Sequence, residues 1–169
     1  MKSKSHLQRF ILLASLTAFG LSACRDAPTP KPRGYHRISI PEASYRRYDH
    51  PCGIHFDVPQ YSKIELIAQK KTSQDHWFNL AFPNFEAKVH CSYIPLQSES
   101  HFYGMLEDAH QMVFAHEMKA SGIAANGFDF PKNNVSGLLY ELSGPVATPL
   151  QFLATDSTQH FLRGSVYFN

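Results

Sequence analysis

The chain has 169 residues, which is enough for one domain with a sizeable hydrophobic core. Its formal net charge of +2 does not describe most of the chain, because residues 1–23 contain three of the 16 basic residues and none of the 14 acidic ones. The remaining residues carry a net charge of −1. This balance excludes the basic footprint of a nucleic-acid-binding protein, so no nucleic-acid partner is predicted.

The first apolar run ends in a motif typical of secreted, membrane-anchored proteins. Three basic residues precede the uncharged stretch 10–20, which is too short to span a bilayer permanently. The motif Leu21-Ser22-Ala23-Cys24 follows, with small residues that admit a signal peptidase and a thiol for lipidation. It resembles the lipobox of bacterial lipoproteins, so residues 1–23 are predicted to be a signal peptide and Cys24 the lipidated first residue of the mature protein. An ordinary secretory signal or an N-terminal membrane helix is the alternative.

This anchor predicts a membrane tether and an oxidising, extracytoplasmic environment. Residues 24–37 comprise the lipidated cysteine and a Pro-rich spacer, which as a polyproline II helix reaches roughly 30 Å. The spacer can be a passive linker or a docking strip. Residues 38–169 are predicted to form a single domain. Arg25, where other lipoproteins can carry an inner-membrane retention aspartate, favours the periplasmic face of the outer membrane.

Alternating apolar residues predict strands in the first half of this domain, whereas residues 38–50 show no clear pattern. The predicted strands are Ile54–Val58, Ile64–Ala68, His76–Phe82 and Phe85–Tyr93. The last two read as an antiparallel hairpin, with the Pro83-Asn84 pair making the turn.

After Pro95 the apolar residues recur at spacings of three and four, which predicts an amphipathic helix over about residues 99–120. Ser98 or Ser100 can cap its start, and Gly122 can end it. A loop is predicted around Asn126-Gly127 and over 131–134.

The last part of the chain returns to an alternating pattern. Strands are predicted over 135–142, 150–154 and 159–168, with a turn at 156–158. The order of strands, helix and strands predicts an α+β domain, an antiparallel sheet with one long helix packed across it. The plan looks like the Mog1/PsbP arrangement. No internal repeat is detected.

Cys52 and Cys91 are the two cysteines that follow Cys24. In an oxidising compartment they predict one disulfide, and two buried free thiols are the alternative. A metal site that adds His55 and His90 is disfavoured, because His90 and Cys91 are neighbours on a strand and project to opposite faces. No metal is predicted.

Other residues with catalytic potential have a simpler structural interpretation. His110 and His116 are six positions apart on the predicted helix, which does not bring both onto one metal. Asp156, Ser157 and His160 contain the letters of a hydrolase triad, but Asp-Ser-Thr is a turn composition and no nucleophile elbow is present. No catalytic residue is predicted.

The aromatic residues of the predicted hairpin can line a ligand site, although such residues more often pack in a core. They are Trp77, Phe78, Phe82 and Phe85. No Gly-rich loop that could hold phosphate is present, and no cofactor is predicted.

Several sequence blocks recur in one known family. They are Pro30–Tyr35, Trp77–Leu80, Gly137–Leu142, Pro149–Phe152, Thr155–Ser157 and His160–Gly164. Together with the lipobox they resemble the gliding-motility lipoprotein GldD family over about residues 28–168. The resemblance implies a membrane-anchored accessory protein of gliding motility in Bacteroidota, a process tied to type 9 secretion, and it transfers no catalytic residue.

We therefore expect a non-enzymatic lipoprotein that contacts the membrane through its lipid and envelope proteins of the motility and secretion machinery through its domain. A periplasmic ligand-binding module is the alternative. A deep apolar pocket with a few convergent polar groups would favour that alternative.

Overall fold

The computed structural model describes residues 37–68 and 75–168, so Cys24, the signal peptide and the spacer up to residue 36 lie outside the described residues. The chain from Glu42 onward forms one compact unit. The regular elements are β1 Tyr45–Asp49, β2 His55–Pro59, β3 Lys63–Leu66, β4 His76–Phe82, β5 Ala87–Pro95, α1 Glu99–Phe114, β6 Gly122–Phe130, β7 Val135–Ser143, β8 Leu150–Thr155 and β9 His160–Phe168. Within these described ranges, no helix is both long and apolar enough to cross a membrane.

Seven of the strands form one antiparallel sheet with the order β3-β4-β5-β9-β8-β7-β6. The strands β3 to β5 and β6 to β9 are two meanders, which meet where β5 pairs with β9. The helix α1 connects β5 in the middle of the sheet to β6 at its far edge. The predicted α+β class, with one helix packed on an antiparallel sheet, is confirmed.

One face of the sheet, here called the helix face, packs against α1. Ala109 and Val113 of α1 are buried against Tyr140, Leu153 and Phe161 of three neighbouring strands. The helix begins as predicted, because the Oγ of its N-cap residue, Ser98, accepts the backbone N–H of His101.

The helix is shorter than predicted at its other end. α1 ends at Phe114, and residues 115–119 continue as turns. Met118 in this stretch is 99% exposed, so these residues contribute little packing that would stabilise further helical turns.

The opposite face, here called the hairpin face, is covered near β4, β5 and β9 by the separate β1–β2 hairpin. Its buried residues are Phe78, Cys91 and Tyr93, and Ile54 and Phe56 of the hairpin pack against them. The β1–β2 hairpin includes residues 45–49, for which the sequence predicted no element.

The predicted loop around Asn126-Gly127 is wrong, because residues 122–130 form strand β6. Seven of its nine residues are exposed and the other two are half-buried, so the strand lacks the alternation that marks a half-buried strand. Backbone pairing with β7 along the whole strand stabilises it instead. The predicted loop at 131–134 is a single 3-10 turn, Pro131–Asn133, closed by Asn134.

Two hairpins of the sheet share the same turn, although no internal repeat was detected in the sequence. Phe82 and Phe130 enter 3-10 turns with φ of −121° in both and ψ of 79° and 78°. Glu86 and Asn134 close them in the left-handed region, with φ of 50° and 51°. The common Phe-Pro pair sets this geometry, because proline fixes φ at the first turn position.

Candidate functional site

A cleft of about 370 Å³ opens on the hairpin face, beside the turn that joins β1 to β2. Most of its wall is apolar and includes Ile54, Phe56 and Leu162. Tyr93 and His160 are among the polar residues that line it. An apolar wall with polar groups at its margin is a feature of small-molecule sites.

The two polar residues Tyr93 and His160 are bonded to each other. The Oη of Tyr93 lies 2.8 Å from Nδ1 of His160. Burial raises the pKa of Tyr93, and the charges of Cys52 and Asp156 raise it further. The phenol therefore keeps its proton at neutral pH and is suited to hydrogen bonding rather than to nucleophilic attack.

Asp156, the acidic residue beside this pair, stabilises a turn through its hydrogen bonds. Burial raises its pKa, but hydrogen bonds from the backbone N–H groups of His160, Gln159 and Thr158 outweigh that effect and lower the pKa to about 2. Its Oδ1 accepts these three N–H groups at 2.8, 2.8 and 3.0 Å. Asp156, Ser157 and His160 have the residue types of a hydrolase triad but belong to a structural turn, as the sequence composition indicated.

A second titratable pair lies in the turn between β1 and β2. The Nδ1 of His50 accepts the backbone N–H of Cys52 at 3.2 Å and lies 2.8 Å from its Sγ. His50 is only 6% exposed, its ring packs on Phe78, and its Nε2 has no hydrogen-bond partner among the described residues. Burial, followed by the charge of His76, lowers the pKa of His50.

The thiol of Cys52 is not activated by this neighbour. Burial raises its pKa more than the backbone hydrogen bonds of Ile54 and Cys52 lower it. A thiol with a raised pKa is a poor nucleophile at neutral pH, because only the thiolate reacts. His50 and Cys52 therefore fix the hairpin turn against the sheet.

Cys52 and Cys91, the predicted disulfide, belong to the same apolar cluster and are free thiols in this structure. Burial raises the pKa of Cys91 to about 12. Whether the two are joined in an oxidising compartment stays a prediction. His90 of the disfavoured metal site lies on the opposite face from Cys91, and no group of three metal-ligating side chains comes together within residues 37–68 and 75–168.

A polar recess of about 320 Å³ lies on the helix face, away from the cleft. We call it the Arg163 recess, and its lining residues are His90, Ser92, Arg163, Ser165 and Tyr167. All five side chains can donate hydrogen bonds, and none is a carboxylate.

The guanidinium of Arg163 contacts Sδ of Met112 on α1. Burial lowers the pKa of Arg163, while the charges of Tyr167 and Asp108 oppose that shift. Trp77 lies beside the recess, opposite Ser92 on the neighbouring strand, and is 46% exposed. Exposed Trp, Tyr, Met and Arg side chains are the types that protein interfaces favour.

Some of the residues in the cleft, in the β1–β2 turn and in the Arg163 recess were identified from the sequence. Trp77 and His160 belong to motifs that the sequence indicated, whereas His50 and Tyr93 were not proposed as site residues. The partner of Tyr93 on β5 is His160 on β9, 67 positions away in the sequence. The partner of His50 is local, because Cys52 lies two positions away in the same turn.

Comparison with known proteins gives a family. The family described as "Gliding motility lipoprotein GldD" matches residues 25–169, nearly the whole chain after the predicted signal peptide. No curated protein and no solved structure matches the chain. The likeness to the Mog1/PsbP arrangement therefore stays a prediction.

Proposed function

This chain belongs to the gliding motility lipoprotein GldD family, and we propose that it is an accessory component of the motility machinery and of the type 9 secretion apparatus tied to it. Membership in this family makes it a lipid-anchored protein of the cell envelope associated with gliding motility. The finer proposal is that the domain acts on the periplasmic face of the outer membrane through contacts with envelope proteins, and not as an enzyme.

The Arg163 recess and its surroundings support a role in protein contacts. Trp77, Met112 and Tyr167 are between 36% and 47% exposed around a central arginine. In protein interfaces, aromatic residues and arginine contribute most of the binding energy. A partner that presents a carboxylate beside an apolar side chain would satisfy both parts of this surface.

The bonding of the polar residues supports a non-enzymatic role. The carboxylate of Asp156 accepts backbone N–H groups of a turn, and His160 is paired with a tyrosine whose pKa is raised. The thiol of Cys52 also has a raised pKa. A general base or nucleophile needs a group whose pKa is adjusted toward neutral pH, and these shifts run the other way.

Genetic complementation tests the proposed process. A deletion in the native host is complemented with the wild type, with Cys24→Ala and with Arg163→Gln, and is scored for colony spreading and for secreted proteins. We expect the deletion and Cys24→Ala to lose spreading and Arg163→Gln to reduce it at normal protein levels. Normal spreading and secretion by the deletion strain would show that the family role does not apply in this host.

Crosslinking in cells tests the proposed contacts. A photoreactive phenylalanine derivative at Trp77 should crosslink to a defined envelope protein. The same group at Tyr45, which is 61% exposed on the β1–β2 hairpin that covers the opposite face of the sheet, is the matched control. Equal products from both positions would contradict a specific contact at the recess.

The cleft on the hairpin face favours a second candidate function, the binding of a small, largely apolar ligand with one polar group. Native mass spectrometry of protein purified from envelopes would detect such a ligand. Tyr93→Phe should remove it, because the variant lacks the hydroxyl in the cleft. Tyr140→Phe is the control, since Tyr140 is equally buried beneath α1. A protein free of bound ligand in every preparation would remove this candidate.

A further inference from the structure

Among residues 37–68 and 75–168, strand β6 is an edge of the sheet that no other strand covers. Its nine residues pair with β7 on one side only, and no other described residue hydrogen-bonds to its backbone. A strand in this position presents a row of free N–H and C=O groups to any further strand. It contains no proline and no lysine, and Asp129 is its one charged residue.

The other edge of the sheet is constructed differently. Strand β3 has four residues, two of which are Lys63 and Glu65. Glu65 is also bonded to Lys88, two strands further into the sheet. Short length and charge are the usual devices that prevent edge pairing. Two of the four residues of β3 are charged, whereas β6 has nine residues and a single charge.

The sequence of β6 is complementary to itself in the antiparallel direction. With Asn126 on a two-fold axis, all nine residues of one copy pair with all nine of another. Phe130 then faces Gly122 of the second copy, and Asp129 faces Ile123 rather than another acid. Like charges opposite each other would be destabilising, and this register avoids them.

The sheet already uses the same aromatic–glycine pairing twice. Phe128 of β6 is the cross-strand partner of Gly137, and Phe152 is the partner of Gly164. In both pairs the phenylalanine ring occupies the space that a β-carbon on the glycine would need. Phe130 is 57% exposed, so its ring is available to cover Gly122 of another copy in the same way.

We propose that β6 is a self-association edge, at which two copies of this chain pair antiparallel about Asn126 and continue the sheet from one domain into the other. The lipid anchor confines all copies to membrane surfaces, which raises their effective concentration and favours an interface of modest area. This inference rests on the β6 edge and does not depend on the proposed role in motility.

Cysteine crosslinking of the full-length protein in its native membrane tests the pairing. Asn126→Cys places two thiols directly opposite each other, at a Cα separation of about 5 Å that a disulfide can bridge. Ala124→Cys is the matched control, because its two copies lie about 14 Å apart along the strands. We expect mild oxidation to give covalent dimers of Asn126→Cys at least tenfold above the level of Ala124→Cys and of the wild type.

Three results would overturn the proposal. They are the absence of dimers for Asn126→Cys, equal dimers for both variants, and a crosslink from residue 126 to a different protein only. The last outcome would mean that the edge takes a strand from another partner.

A charge exchange distinguishes specific pairing from crowding. Two tagged copies of Asn126→Lys should co-purify at least tenfold less than wild-type copies, because the lysines face each other. Co-expression of Asn126→Lys with Asn126→Asp should restore co-purification. Asn126 bonds to Glu141 within its own domain, so the lysine variant keeps a local partner and unfolding measurements can verify its fold. Failure of the mixed pair to recover, when unfolding measurements show that the aspartate variant is also folded beside Glu141, would contradict the register.

Discussion

The repeated hairpin turn leads to a quantitative prediction at Glu86. This residue has a φ of 50° in the turn between β4 and β5, and Asn134 has a φ of 51° at the equivalent position of the β6–β7 hairpin. Glutamate is a poor choice for the left-handed region, whereas asparagine is enriched there. Substitution of Glu86 by asparagine should therefore stabilise the domain.

The expected size follows from the conformation alone. The left-handed region costs an ordinary L-residue about 1–2 kcal/mol, and asparagine recovers much of this through local hydrogen bonds. Glu86 is exposed, and its side chain has no hydrogen-bond or ion partner among the described residues, so little is lost on replacement. We expect Glu86→Asn to raise the free energy of unfolding by about 1 kcal/mol and Tm by about 3–5 °C.

Thermal and urea unfolding of the purified domain measure this change. Glu86→Gln is the matched control, because it removes the charge and keeps an unfavourable side chain, and it should change stability by less than about 0.5 kcal/mol. Asn134→Glu should lose about 1 kcal/mol, the reverse of the gain at residue 86. If Glu86→Asn and Glu86→Gln stabilise equally, charge and not backbone conformation is the cause, and the reasoning fails.

Three further predictions concern other parts of the domain. Gly137→Ala and Gly164→Ala should each cost about 1–3 kcal/mol in urea unfolding, with Gly137→Ala worse because its new methyl group also meets a backbone carbonyl. Asp156→Ala should cost about 1–3 kcal/mol, since three backbone N–H groups lose their acceptor, and Asp156→Asn should cost less. Burial, followed by the charge of His76, lowers the pKa of His50 below 6.5, so the folded state binds fewer protons than the unfolded state. The stability that this shift contributes is present above pH 6.5 and lost as the pH falls below it. Thermal melts at descending pH should therefore show a smaller decline in Tm for His50→Phe than for the wild type.

Elements that bury one face could be predicted from the sequence. The predicted strand 76–82 has the same bounds as β4, and the predicted start of α1 at about residue 99 agrees with a helix that begins at Glu99. In both places the buried face imposes a period of two or of three to four on the apolar residues. The same reason explains the predicted strands that became β7, β8 and β9.

The elements that were missed bury little. Strand β6 is held by backbone bonds to β7 that any sequence can make, and its exposed residues carry no alternation. The Asn126-Gly127 pair also has the composition of a turn, and in this sheet it continues an edge strand. In β6, backbone pairing with β7 outweighs the turn-like composition of the local sequence.

The candidate sites likewise differ in how far the sequence could predict them. The lipobox is a contiguous motif, so Cys24 could be proposed from sequence alone. The bond between Tyr93 and His160 joins residues 67 positions apart and depends on the β5–β9 register. The recess around Arg163 likewise needs residues from neighbouring strands and from α1. Such sites depend on which strands are neighbours in the sheet. The residue pattern of a single strand does not give that order.

The two proposed surfaces should act independently. Arg163 is on β9, which is separated from the β6 edge by β8 and β7. Three strand spacings correspond to about 14 Å, beyond the range of about 7–10 Å over which substitutions couple. Arg163→Gln should therefore leave self-association through Asn126 unchanged, and Asn126→Lys should leave crosslinking from Trp77 unchanged. A loss of both properties in either variant would mean that partner binding requires the paired form, and the two surfaces would then belong to one interaction.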